Sequence, residues 1–119
     1  MLKVKTKIKS SPLHGLGLYA DQFIPEGTLI FEEDQYTAKI TPQQFYEMGP
    51  AEQQFVKHYC YKRDGIWHCS MDDDRFTNHS EDPNCRETET ATYAARDIQE
   101  GEEITTNYSI IGTIMNPSK

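Results

Sequence analysis

The densest run of side chains able to do chemistry lies between Arg75 and Tyr108. It opens with Arg75-Phe76-Thr77-Asn78-His79-Ser80-Glu81-Asp82-Pro83-Asn84-Cys85 and closes with Gly101-Glu102-Glu103-Ile104-Thr105-Thr106-Asn107-Tyr108. The first half has no amphipathic period, so it reads as a loop rather than a helix or a strand. Amide side chains offer donors and acceptors together, and an imidazole can serve as either. That equipment suits the holding of a polar cofactor. The second half reads as a turn entering a short strand that ends on a phenol, which places Tyr108 towards the chemistry. Far upstream, His14-Gly15-Leu16-Gly17 sets two glycines around one residue, which permits positive φ and close backbone approach. Alone, that pattern is an ordinary turn.

The elements that must position these residues are short and mostly extended. In residues 2–10, Leu2, Val4, Thr6 and Ile8 alternate with Lys3, Lys5, Lys7 and Lys9, which predicts a strand with one buried face and a solvated lysine face. Leu18-Tyr19-Ala20 resumes extended structure after the glycine turn, and Thr28-Leu29-Ile30-Phe31 is a further strand. Thr41-Pro42-Gln43-Gln44 carries the marks of a helix start: a capping threonine, a proline at the first helical position and a glutamine closing a capping box. Gly49-Pro50 ends that helix, and a second spans 51–58, burying Phe55 and Val56. Asp64-Gly65 between Tyr59-Cys60-Tyr61-Lys62 and Ile66-Trp67-His68-Cys69 is a hairpin signal, with Trp67 in the core. Strands over 88–95 and 104–108 complete the reading.

Bulk properties narrow the class. The 119 residues suit one domain, 1–119. A net charge of −7 disfavours direct nucleic-acid binding, which needs clustered Lys and Arg, and suits a basic peptide or protein as partner. No apolar run reaches the length of a membrane span. Three cysteines, Cys60, Cys69 and Cys85, make a poor disulfide framework, and with no apolar signal core they point to an intracellular protein. Asp72-Asp73-Asp74 lacks the spacing of a calcium loop and reads as a solvated turn. A zinc site from Cys60, His68, Cys69 and Cys85 is a competing reading, but its spacing matches no finger and adjacent His68 and Cys69 point to opposite faces of a strand. No metal is expected.

Taken together, Gly15-Leu16-Gly17-Leu18-Tyr19-Ala20, the Asn78-His79-Ser80…Pro83-Asn84-Cys85 string and Gly101-Glu102-Glu103-Ile104…Tyr108 resemble the signature of the SET-domain protein-lysine methyltransferases. The resemblance covers nearly the whole chain. It implies a mostly β fold of several small curved sheets with a C-terminal pseudoknot and two short helices. It implies S-adenosyl-L-methionine as cofactor, held by the turn at His14, Gly15, Leu16 and Gly17 and by Asn78 and His79, with Arg75 and Phe76 bracing the loop. Tyr108 becomes the catalytic tyrosine. Tyr59 and Tyr61 become aromatic walls of the lysine channel, with Tyr36 behind them. Thr106 takes a position often filled by Phe or Tyr in the family, where a smaller side chain leaves room for di- or trimethylation.

Asn107 stands where the family often has an acid, and the cysteine-rich zinc-binding flanks of larger members are absent, as in a minimal stand-alone member of viral or bacterial type. Ile110, Ile111, Ile114 and Met115 are then expected to fold over the channel or pack against a second subunit, with a homodimer favoured. The implied partner is a basic protein or peptide, histone tails being the family's usual targets. The implied location is cytoplasmic for a bacterial protein, or the host nucleus for a viral protein or secreted effector. The alternative is a catalytically weak SET-fold module that binds a basic peptide or the cofactor without turnover. Tyr108 together with the intact Asn78-His79 pair favours the enzyme.

Overall fold

The alternation at the N-terminus survives as alternating burial: Leu2, Val4, Thr6 and Ile8 are half-buried, while Lys3, Lys5, Lys7 and Lys9 are exposed. The computed structural model describes residues 1–108, and regular pairing begins only at β1, Thr6–Ser10. Leu2 instead bridges Phe31, through Lys3 N–H to Ile30 O at 2.7 Å and Glu32 N–H to Met1 O at 3.3 Å, while its own N–H donates to Asp72 Oδ2 at 2.7 Å. β1 pairs antiparallel with β2, Leu16–Ala20, across the glycine turn.

The remaining strands fall into three further small sheets. β3 (Leu29–Glu32), β8 (Cys85–Glu87) and β9 (Ala91–Ala94) form an antiparallel sheet in the order β3-β9-β8. β4 (Ala38–Ile40), β5 (Tyr61–Arg63) and β6 (Ile66–Cys69) form another, in the order β4-β6-β5. β7 (Asn78–His79) and β10 (Thr105–Thr106) pair in parallel, which lays the C-terminal segment against the middle loop. The mostly β architecture of small sheets with two short helices agrees with the sequence reading. β4 was not foreseen; three residues ending at Ile40 give too short a period to read.

α1 spans Pro42–Glu47, and both halves of its capping box are made: Thr41 Oγ1 accepts from Gln44 N–H, and Gln44 Oε1 accepts from Thr41 N–H. α2 spans Pro50–Tyr59, one residue longer than expected at each end, with Glu52 accepting from Gly49 N–H. Val56 is buried as expected, but Phe55 is 49% exposed. The two are adjacent in sequence, 100° apart on a helix, and only one faces the core. Asp64 and Gly65 both have positive φ, 52° and 80°, which gives the hairpin the twist its strands require.

Two apolar clusters anchor these pieces. The main one joins Leu18, Ala20, Ile24, Ile30, Cys85, Ala94, Ile98 and Ile104. The second, under the helices, joins Phe45, Val56 and Cys60, with Trp67 packed against it and stacked on Phe45 at 5.5 Å between ring centroids. The expectation of three free thiols is corrected: Cys60 and Cys69 form a disulfide, with Cα atoms 4.6 Å apart. The hairpin register sets it. Tyr61 faces His68, so Cys60 and Cys69 are the next cross-strand pair, at the separation where side chains meet. Cys85 stays free and buried in the main cluster, away from the disulfide, so the four residues weighed for zinc do not converge.

Among the described residues no helix is long and apolar enough to cross a membrane. Ile110, Ile111, Ile114 and Met115 lie outside the described residues.

Candidate active site

Three distant segments meet at one carboxylate. Glu103 accepts from Ser11 Oγ at 2.8 Å to both oxygens and from Asn78 Nδ2 at 2.9 Å. The same Asn78 nitrogen, in a residue 2% exposed, also lies 3.0 Å from each of the carbonyls of His14 and Leu16, so its two N–H groups are shared among three acceptors. Asn78 thereby fixes the glycine turn against the central loop. Gly17 has a different task from Gly15. A Cβ at position 17 would overlap Glu103 Oε2, so Gly17 makes room for the carboxylate, and it lines neither of the two cavities described below. Gly15 has φ +46°, and a Cβ there would meet no atom within 4 Å.

Asn84 is the second tie. Its Oδ1 accepts from Thr105 N–H at 2.9 Å and its Nδ2 donates to Glu103 O at 2.8 Å, which clamps the end of the loop onto the C-terminal strand. Neither Glu103 nor Asn84 received a role from the sequence. The available signal was two amides six residues apart in one aperiodic loop: buried amides need partners, and a loop supplies none of its own.

Tyr108 is 8% exposed, and its hydroxyl donates to Thr77 O at 2.6 Å. Burial, then the charges of Asp74, Glu103 and Glu87, push its ionisation above the ordinary phenol range. The group is therefore a neutral hydrogen-bonding phenol at physiological pH and not a base. His79 holds it from behind: Tyr108 N–H donates to His79 Nδ1 at 3.1 Å, and Nε2 lies 2.9 Å from Glu81 Oε1. With Nδ1 accepting, the ring proton sits on Nε2. The imidazole is committed to the tyrosine backbone and lines neither cavity described next.

Two cavities flank this centre. One, of about 230 Å³, is lined by His14, Gly15, Leu16, His58, Tyr59, Arg75, Phe76 and Asn78. The other, of about 50 Å³, includes Tyr59, Tyr61, Thr106 and Tyr108 on its walls, with Asp74, Glu87 and Glu89 among its acidic residues. Tyr59 and Arg75 line both, so the two cavities share a wall. The Arg75 guanidinium lies 4.9 Å from the Phe76 ring centroid and 5.9 Å from that of Tyr59, and its buried Nε has no hydrogen-bond partner among the described residues. Thr106 Oγ1, of a residue on the smaller cavity, is also buried without a hydrogen-bond partner among the described residues. Tyr36 is 55% exposed and lines neither.

The structure thus brings His14, Gly15, Leu16 and Asn78 to one cavity and Tyr61, Thr106 and Tyr108 to the other, with Tyr59 at both. Gly17 and His79 stand behind them. Such an arrangement can hold a polar ligand on one side, admit a cationic chain on the other and align the two across a neutral phenol.

Comparison with known proteins agrees in sequence and in shape. A histone-lysine N-methyltransferase, H3 lysine-36 specific, from two strains of Cryptococcus neoformans is 29% identical over 118 aligned positions, covering 81% of this chain. The chain spans only 13% of that relative's length. Among solved structures, a candidate histone methyltransferase of Plasmodium falciparum aligns with a TM-score of 0.63 at 23% identity, over 90% of this chain and 95% of the other. An active polycomb repressive complex 2 in the basal state contains a chain that aligns with a TM-score of 0.66 at 24% identity, over 88% of this chain and 15% of that one. At these identities the structural likenesses establish the fold. Residues 15–109 match the SET domain family, and the chain belongs to that family.

Proposed function

We propose that this chain is a protein-lysine N-methyltransferase that uses S-adenosylmethionine and acts on a lysine of a basic protein or peptide. The observation that carries the reading is the shared wall: a cavity bordered by the glycine turn and Asn78 abuts a second, acid-rimmed cavity that ends on Tyr108.

The residues present fit the cofactor. The unpartnered Arg75 Nε supplies a donor for a carboxylate, and the open left-handed Gly15 leaves space that a side chain would fill. His14, Leu16 and Asn78 would hold its polar parts, and Phe76, His58 and Tyr59 offer flat rings to its base. Bound there, S-adenosylmethionine supplies a methyl group on a sulfonium sulfur, open to in-line displacement by an amine.

The chain's own task is orientation and proton management. A lysine of ordinary pKa near 10.4 is neutral at pH 7 about once in 2,500, a cost of roughly 4.6 kcal/mol. Asp74, Glu87 and Glu89 attract the ammonium to the rim, and the aromatic walls of Tyr59 and Tyr61 disfavour its charge further in. The Tyr108 hydroxyl donates to Thr77 O at 2.6 Å, which fixes the direction of the phenol on the cavity wall where it would orient the amine. Thr106 Oγ1 stands ready as an acceptor, and its small side chain leaves room for methylated amine, which supports di- or trimethylation. The acidic chain also suits a histone tail as substrate.

The test is transfer of labelled methyl from S-adenosylmethionine to a panel of basic proteins, with Tyr108→Phe as control. Loss of most of the rate, on the order of a hundredfold, is expected in the variant if the hydroxyl orients the amine. Equal labelling by both proteins would refute the role of Tyr108, and no labelling by either would refute the activity.

A further inference from the structure

The lining of the smaller cavity includes residues of two sheets, and a single carboxylate outside that lining ties one to the other. Tyr61 from β5 and Ser70 beyond β6 form a hairpin wall; residues 87–92, the turn between β8 and β9 with the strand ends beside it, form a turn wall. Glu33, just after β3, lines neither wall, and its side chain is 8% exposed. Its backbone N–H donates to Thr90 O at 2.7 Å in the 87–92 turn. Its carboxylate reaches the other way. Oε2 accepts from the Tyr61 hydroxyl at 2.6 Å and from one Arg63 nitrogen at 3.0 Å, and Oε1 accepts from the other Arg63 nitrogen at 2.9 Å. Arg63 closes the loop by donating to Glu89 O at 2.7 Å. The hairpin wall and the turn wall are thus joined twice, once through the Glu33 backbone and once through Arg63.

Tyr61 is the side chain most constrained by this arrangement. Its ring stacks on His68 at 5.3 Å and 9° on one side, with the Arg63 guanidinium 5.9 Å from its centroid. His68 Nδ1 lies 3.0 Å from Glu33 Oε1 but off the line of a hydrogen bond. A base role for Glu33 does not fit. Burial works to raise its ionisation, but Arg63, Tyr61 and His68 outweigh that and hold it below the usual carboxylate range. Both of its oxygens are also occupied.

We propose that Glu33 is a positioning residue for the lysine side of the site: through Tyr61 and Arg63 it sets the separation of the two walls and the plane of the Tyr61 ring. The proposal rests on the reading of this cavity as the lysine channel. It predicts an effect confined to one substrate, because neither Glu33 nor Arg63 borders the larger cavity.

The experiment measures two affinities on the purified chain: that of a short labelled basic peptide carrying one lysine, by fluorescence anisotropy, and that of S-adenosylmethionine, by calorimetry. Glu33→Gln is expected to weaken the peptide about tenfold, the worth of a lost charged hydrogen bond, and to leave cofactor affinity within about twofold. Tyr61→Phe should weaken the peptide similarly, and the double variant should lose little more than either single one, because both remove the same link. Arg63→Lys keeps the charge but not the fork and should fall between. Unchanged cofactor affinity also certifies that each variant is folded, and a Glu33→Gln protein that fails this check leaves Tyr61→Phe to decide. Peptide affinity unmoved in Glu33→Gln and Tyr61→Phe, or peptide and cofactor affinities falling together in Tyr61→Phe, overturns the clamp. A wild-type chain that binds the peptide but transfers no methyl overturns the proposed activity, while the same affinities still judge the clamp. A wild-type chain that binds no lysine peptide overturns both.

Discussion

Replacing Gly17 by alanine is expected to destabilise the fold through one side chain, Glu103. A Cβ at position 17 would overlap Glu103 Oε2, stand 2.9 Å from its Cδ and lie 3.0 Å from Ser11 Cβ. The carboxylate cannot simply swing aside, because it accepts from Ser11 Oγ and from Asn78 Nδ2. Displacing it loses two partners of a charged group, each worth about 1.5 kcal/mol net, and leaves part of that recovered in water. The expected cost is therefore about 2–3 kcal/mol, within the usual range for overpacking. Glu103→Ala removes the main obstacle and leaves only the tight contact with Ser11 Cβ. Gly17 has no positive φ, so in that background a gain of about 0.5 kcal/mol through the unfolded chain works against that contact, and the alanine should be about neutral. The coupling between the two positions should then be about 2–3 kcal/mol, read from urea unfolding of the four proteins at constant m. If Gly17→Ala costs the same with and without Glu103, the crowding lies elsewhere and the account of the hub is wrong.

Other expectations follow from the same geometry. Reducing the Cys60–Cys69 disulfide, whose cysteines are nine residues apart, should lower stability by about 2–3 kcal/mol in urea unfolding, the chain-entropy value for so short a loop; no change on reduction would mean the bridge does not form in solution. Glu33 is held below the usual carboxylate range and His68 below the ordinary imidazole range, the latter chiefly by burial. In both cases the folded state binds fewer protons than the unfolded state. Stability should be full above the unfolded-state values and fall as pH drops, first through the imidazole range and later through the carboxylate range until the folded value of Glu33 is passed. His68→Gln should flatten the first fall and Glu33→Gln the second in urea midpoints measured against pH. Thr106→Phe should shift products from di- and trimethyl towards monomethyl lysine in mass spectra of a peptide taken to completion; an unchanged product ratio would remove Thr106 from the control of multiplicity.

What the sequence determined by itself was local. The capping box at Thr41 and Gln44, the Asp64-Gly65 hairpin and the lysine alternation of residues 3–9 each depend on neighbours within a few positions, so their chemistry is readable in order along the chain. The motif residues were legible as types: amides and a phenol in aperiodic context. The disulfide was legible too, since a turn centred on Asp64-Gly65 sets Cys60 opposite Cys69, but counting cysteines without using that register concealed it. Only the tertiary structure decided who partners whom. Glu103 gathers Ser11 and Asn78 across separations of 92 and 25 residues, and no period in the sequence encodes such a meeting. It also divided Gly15 from Gly17, placing one at a cavity and the other under a carboxylate, and set the His79 imidazole against the backbone N–H of Tyr108. The physical reason is the same throughout. A buried polar group must find a partner, and which partner is near is fixed by how the sheets pack, not by the order of residues along the chain.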